Sequence, residues 1–206
     1  MTRERADNYD DKKHSILRKA AALFARKGYE ITTMLDVASA CGASKSHLYH
    51  YFPAKEDLLY AIVKNHTEML SSELAEAVAR PGPPAERFEH FVARFVDVAA
   101  NYRSEQLVLI NDLTFLPAAK LKTIQKMESD IVSNLTGLLK EINPDVMATT
   151  EVQAPYALLL FGMIIWTFTW YKKAGALSPA ELAARISDLF LNGFGAAKPR
   201  LVSGAR

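Results

Sequence analysis

Apolar residues recur at helical spacing through nearly the whole chain, and no stretch shows the strict alternation of a half-buried strand. From Asp11 to Lys27, the residues Ile16, Leu17, Ala20, Ala21, Leu23 and Phe24 fall on one face. Gly28 supplies a stop, with Arg26 and Lys27 complementing the carbonyl end of the last turn. Thr33 and Asp36 make a capping-box pair, with Asp in place of the usual Glu, and open a short helix Met34 to Cys41. Gly42 suits the left-handed backbone of a tight turn. Ser44 then caps a helix from Lys45 to Phe52, which Pro53 ends.

A long helix is expected next, Ala54 to Arg80, with a stripe of Leu58, Leu59, Ile62, Val63, Met69, Leu70, Leu74 and Val78. The run Pro81-Gly82-Pro83-Pro84 breaks it. Phe88, Phe91, Val92, Phe95, Val96 and Ala99 mark another helix reaching Tyr102, and a short apolar segment, Leu107 to Phe115, leads to Pro117. Ala118 to Ile142 repeats the helical pattern until Asn143-Pro144. Ser178, Pro179 and Glu181 announce a last helix with Leu182, Ile186, Leu189 and Phe190 on one face. The tail from Gly195 is expected to be loosely ordered. The pattern therefore predicts an all-α fold.

The stretch VQAPYALLLFGMIIWTFTWY, residues 152–171, carries no charge and is long enough to cross a bilayer. Gln153 and Pro155 lie inside it, and no second such stretch exists. A helix apolar all round is equally suited to burial in a large core or between subunits. That second reading is the expectation, with no membrane involved.

Composition sharpens this picture in two places. The chain has 206 residues, half of them hydrophobic, enough for a sizeable core without disulfides, and it holds a single cysteine, Cys41. The charged opening MTRERADNYDDKKHS lacks an apolar signal region, so a cytoplasmic location is expected. Net charge is only +2, but residues 1–55 hold ten basic and six acidic side chains, a net of +4, and the remainder 15 and 17, a net of −2. A basic end on a mildly acidic body points to a polyanion at that end.

Two short helices joined by Gly42-Ala43 form a helix-turn-helix. Val37, Ala38, Cys41, Leu48 and Phe52 are its inward positions, leaving Lys45, Ser46, His47, Tyr49 and His50 outward. Eight residues at about 1.5 Å each span roughly 12 Å, close to the width of the DNA major groove. Lys45 and Ser46 are placed to donate to base edges, and His47 and His50 to reach bases. Tyr49 and Tyr51 are placed to donate to phosphates, as are Thr33 and the exposed N–H groups that follow Ser44. Lys55 is expected to neutralise backbone charge. Cys41, facing the partner helix, reads as a small buried apolar residue.

At ILRKAAALFARKGYEITTMLDVASACGASKSHLYHYFPAKEDLL, residues 16–59, the chain resembles the TetR family of bacterial transcriptional regulators. The "ARKGY" helix end, "TTMLDVASACGAS", "LYHYF" and "KEDLL" match in order and spacing. The chain departs from the common Tyr-His-Phe of the family with His50-Tyr51-Phe52. The resemblance implies a DNA-binding domain at residues 1–55 and a helical ligand-binding and dimerisation domain at residues 56–206. It also implies a homodimer formed through the last two long helices, a double-stranded DNA operator, and a small hydrophobic or amphipathic effector.

Candidates for lining the effector site are Phe91, Phe95, Tyr102, Phe115, Phe161, Trp166 and Trp170, since helical ligand pockets are apolar and aromatic. Arg103, Asn111 and Asp112 are candidates for a polar head group. The segment from Asn111 to Ile142 is similar in layout to regulators of catabolism that sense acyl-CoA thioesters, and an amphipathic drug is the rival ligand. Repression is expected, with activation as the alternative of the same fold. No nucleophile elbow, phosphate loop or paired carboxylates point to an enzyme. His14, His66 and His90 lack metal-ligand spacing, and no cofactor is implied.

Overall fold

The computed structural model describes residues 2–172 and 175–194, with side chains from Tyr9 onward apart from Phe168. The described residues are α-helical, as the apolar periodicity requires. The helices are α1 (Thr2–Lys27), α2 (Met34–Cys41), α3 (Lys45–Tyr51), α4 (Lys55–Ala79), α5 (Pro84–Asn101), α6 (Arg103–Asp112), α7 (Ala118–Ile142), α8 (Thr150–Trp170) and α9 (Pro179–Phe194). A 3-10 turn, Leu113–Phe115, follows α6. The expected tail after Gly195 lies outside the described residues.

The chain forms two compact units. One holds Met1–Glu68 with Tyr102–Gln125, the other Met69–Asn101 with Lys126–Arg206. In the first, α1 packs on α2 and on α6. Ile16, Leu17, Ala20, Ala21, Leu23 and Phe24 are buried as their spacing predicts, and Val108 and Leu109 of α6 are buried too. Leu58, Leu59, Ile62 and Val63 from the start of α4 complete this core. The sequence places α1 too late, at Asp11. Residues 2–10 have no apolar stripe to betray a helix.

In the second unit α5 packs chiefly on α9, and α8 on both. Phe88 of α5 stacks on Phe190 of α9 at 5.3 Å between centroids, and Phe190 on Phe194 at 5.4 Å. Leu135, Leu138 and Leu139 of α7 are fully buried in the same cluster. Arg87 grips Glu141 with two N–H groups, at 2.6 and 3.2 Å, while its Nε donates to the Val78 carbonyl at 2.8 Å. The capping box expected before α9 is present: Ser178 N and Oγ donate to Glu181 Oε2, and Glu181 N donates back to Ser178 Oγ. Among the described residues no helix is long and apolar enough to cross a membrane.

Candidate nucleic-acid interface

Local chemistry fixes the helix-turn-helix at each joint. Thr33 is extended ahead of α2, its Oγ1 accepts from Asp36 N at 3.1 Å, and its own N–H donates to Asp36 Oδ2 at 2.9 Å. The Thr33 hydroxyl, donating to Asp36 Oδ2 at 2.6 Å, then the Thr33 N–H, with Lys27 at 3.7 Å, hold the Asp36 carboxyl below its usual range. Gly42 closes α2 at φ 65°, and its N–H reaches the carbonyls of Ala38 and Ser39. Ala43 N adds a bond to the Ala38 carbonyl at 3.0 Å, so the turn satisfies the free carbonyls of the helix end. Ser44 Oγ then accepts from His47 N at 3.2 Å and starts α3.

Only one residue of α3, Leu48, is buried; Phe52 just beyond is buried as well. These two anchor a helix whose other side is open. Lys45, Ser46, His47, Tyr49 and His50 are all exposed. The sequence expectation for the outward face thus holds residue by residue as a matter of exposure. Lys45 lies 5.7 Å from the Tyr49 ring centroid, one turn along. Tyr51 is half-buried, stacked on Tyr9 of α1 at 4.7 Å and met edge-on by His47 and His50. Its ring belongs to an aromatic cluster beside the outward face rather than to that face. Cys41 is half-buried, with its thiol pushed up by burial, short of the full burial expected.

Lys55 departs most from expectation. Its Nζ donates to the carbonyls of Tyr29, Glu30 and Thr32 at 3.0, 3.2 and 3.1 Å. An ammonium has three donors, and all three are engaged. A phosphate would have to displace these bonds, so Lys55 is first a clamp on the turn between α1 and α2. Its charge also lies 4.2 Å from the Tyr29 ring centroid. Tyr29 in turn meets Phe24 edge-on and Phe115 at 4.9 Å. Burial, then the Glu56 carboxylate, push its phenol up to about 12. Lys120 of α7 pairs with Asp57 of α4 in the same unit.

The aromatic candidates for an effector site divide between the two units. Phe91, Phe95 and Phe161 are buried together in the second unit, with Phe161 at 6.4 Å from Phe91 and 5.7 Å from Phe95. Phe115 and Tyr102 belong to the first unit, against Tyr29 and His66 respectively. Trp166 and Trp170 are 68% and 53% exposed on α8. An all-apolar helix gives no sign in the sequence of which side a neighbour will cover. Of the polar candidates, Asp112 is buried, with its carboxyl pushed up by that burial, and Asn111 is exposed.

Sequence reasoning missed one polar pair. His66 of α4 is 3% exposed, and its Nε2 lies 2.7 Å from Gln106 Oε1 of α6, itself buried. Nδ1 has no hydrogen-bond partner. Burial holds the ring below its usual pKa, so it is neutral. A lone His in an apolar stripe was the available signal; its partner is forty residues away. Among the described residues, no group of His, Cys, Asp and Glu is arranged to hold a metal ion.

Residues 16–62 match the model of the bacterial regulatory proteins of the tetR family, and residues 81–194 that of the tetracyclin repressor-like C-terminal domain. The crystal structure of a TetR-family transcriptional regulator from Bordetella parapertussis is 34% identical, with a TM-score of 0.85 over 91% of this chain and 98% of that one. The KstR2 transcriptional repressor of Mycolicibacterium smegmatis is 25% identical over 88% of this chain and 90% of its own. AibR, solved with isovaleryl coenzyme A and operator DNA, shares the fold at a TM-score of 0.76 and 23% identity, over 86% of this chain and 97% of AibR.

Proposed function

We propose that this chain, which belongs to the TetR family of bacterial transcriptional regulators, is a repressor that binds a palindromic operator as a homodimer and is released by a small hydrophobic or amphipathic effector. The family is one of ligand-responsive DNA-binding regulators, and the chain is such a regulator rather than an enzyme. The observation that carries the operator reading is α3: a short helix capped by Ser44, seated on Leu48 and Phe52, with Lys45, Ser46, His47, Tyr49 and His50 all exposed. Lys45 and Ser46 stand at the helix start, where side chains reach base edges. Tyr49 supplies a hydroxyl for phosphates, whereas the Thr33 hydroxyl already donates to Asp36 Oδ2 at 2.6 Å.

Dimerisation is supported by an uncovered apolar face. Leu158, Leu159, Trp166 and Trp170 of α8 and Leu189 of α9 are more than half exposed. Large apolar groups so concentrated mark an interaction surface. A second copy laid against α8 and α9 would cover them. In the dimer, the two α3 helices would stand roughly 34–36 Å apart, one turn of DNA.

The effector class rests on two supports. AibR binds isovaleryl coenzyme A, and Phe91, Phe95 and Phe161 give the second unit an aromatic interior suited to an apolar acyl chain. An acyl-coenzyme A thioester is therefore the first ligand class to try, and a hydrophobic drug the second. The ligand must favour one state of the protein, because equal affinity for both shifts nothing. Selection of bound fragments from genomic DNA tests the reading, followed by addition of acyl-CoA thioesters of graded chain length. Recovery of near-palindromic sites that a thioester releases supports it. Sites that stay bound with ligand, beside genes that are then induced, would make the protein an activator.

A further inference from the structure

We propose that the early part of α1 forms a second DNA-contacting element, which sets Lys12 and Lys13 against the sugar–phosphate backbone beside the groove that α3 enters. This rests on the operator-binding reading above and extends it to residues ahead of Ile16, where the match to the DNA-binding family model begins.

The first support is a ring stack. Tyr9 lies on Tyr51 with centroids 4.7 Å apart and planes 26° from parallel. Tyr51 is the last residue of α3, and His47 and His50 meet it edge-on at 5.2 and 5.8 Å. Both histidines are exposed on the outward side of α3. The early part of α1 is therefore joined to the rim of the recognition surface. Any duplex seated on His47 and His50 lies within reach of it.

The second support is the distribution of charge around α1. Residues 2–14 hold four basic and four acidic residues, so their sum is zero and hides the pattern. A helix turns by about 100° per residue. On that register Lys12 and Lys13 fall within about 60° of Tyr9, whereas Asp10 and Asp11 fall about 100° or more away. From Tyr9 to Lys13 the side that carries the ring is basic and the other acidic. The basic side follows the line of Ile16 and Ala20, which are buried. Further toward the start of α1 that line leaves the core and comes to lie beside α3, and there it changes from apolar to basic.

Lys12 is exposed and Lys13 half-buried, and neither forms an ion pair among the described residues. A basic face turned toward a DNA-reading helix, with the acids turned away, fits a polyanion lying across both. The acidic side would not oppose it, being directed elsewhere. Such contacts set orientation and affinity without reading sequence.

The test uses the full chain, an operator fragment recovered by selection, and mixed-sequence duplex DNA, each titrated over a series of salt concentrations. The double variant Lys12→Gln/Lys13→Gln is expected to bind both DNAs more weakly, on the order of tenfold, with a salt slope shallower by about 2 per protomer. Its melting temperature should match the parent. Tyr9→Ala should weaken both DNAs in the same uniform way, and Tyr9→Phe, which keeps the ring, should not. Lys45→Ala serves as the control for operator reading. If it loses the operator while the double lysine variant keeps parental affinity and slope, the α1 element is refuted and the operator reading stands. If the parent protein binds neither DNA, both fail together.

Discussion

Lys55 and Tyr29 lock together: the ammonium lies 4.2 Å from the ring centroid and donates to the Tyr29 carbonyl oxygen at 3.0 Å. Two further bonds, to Glu30 and Thr32, complete the set. The start of α4 is thereby fastened to the turn that ends α1 and precedes α2. Lys55→Met keeps the stem over the ring and removes the donors. It should lower stability by about 1–3 kcal/mol, the range for stranding partly buried polar groups. Thermal melting reads this directly. The salt slope of DNA binding should stay as in the parent; a slope flattened by about one with melting unchanged would restore the phosphate role.

Gly42→Ala isolates the cost of a single dihedral. A Cβ there would meet nothing within 4 Å, so crowding plays no part. The φ of 65° alone opposes the side chain, at about 1–2 kcal/mol. Denaturant titration should show a loss of that size, with operator affinity lowered if the turn relaxes and re-aims α3. Ser44→Ala, which removes the acceptor for His47 N, should cost about 1 kcal/mol.

His66 gives the protein a pH signature. Its ring is held below the usual 6.5 by burial, so the unfolded chain binds a proton at pH values where the native one does not. The stability this neutral ring contributes is present above about 6.5 and is lost as pH falls below it. Asp112 and Glu105, raised by burial, act in the opposite direction, so the parent alone would mix the two. The difference between the parent and His66→Gln separates them. The parent should lose ground relative to the variant as pH drops from 7 to about 5.5. A difference that does not move with pH contradicts the assignment.

Trp166→Ala addresses the uncovered face of α8. Burying a large apolar side chain is worth about 1.5–3 kcal/mol, and in a symmetric dimer each change counts twice. Sedimentation should show the dimer shifted toward monomer by a hundredfold or more in dissociation constant, on the order given by those energies. Parental assembly in the variant would mean that another surface pairs the subunits.

Helix positions were legible wherever the sequence carries its own punctuation. Thr33 with Asp36, Gly42, and Ser178 with Glu181 are local signals, and α2 and α7 begin and end where the pattern places them. The outward face of α3 was legible for the same reason, since alternating Leu48 and Phe52 with polar neighbours fixes which side is buried. Three features were not. The early turns of α1 lack an apolar stripe, and Tyr9 finds its stacking partner forty-two residues away. Lys55 displays a charge to the reader but not the carbonyls that surround it, which lie 23 to 26 residues earlier. Trp166 and Trp170 sit in a run apolar on every side, where periodicity gives no direction.

The most direct measurement is selection of bound genomic fragments by the purified protein, followed by affinity measurements on parent and Lys45→Ala at several salt concentrations. Near-palindromic sites should be recovered. Lys45→Ala should lose about 1–3 kcal/mol on them and little on unrelated DNA. Uniform, salt-sensitive binding with no preferred fragment, equally weakened on all DNA by Lys45→Ala, would contradict the assignment of α3 as the helix that reads an operator.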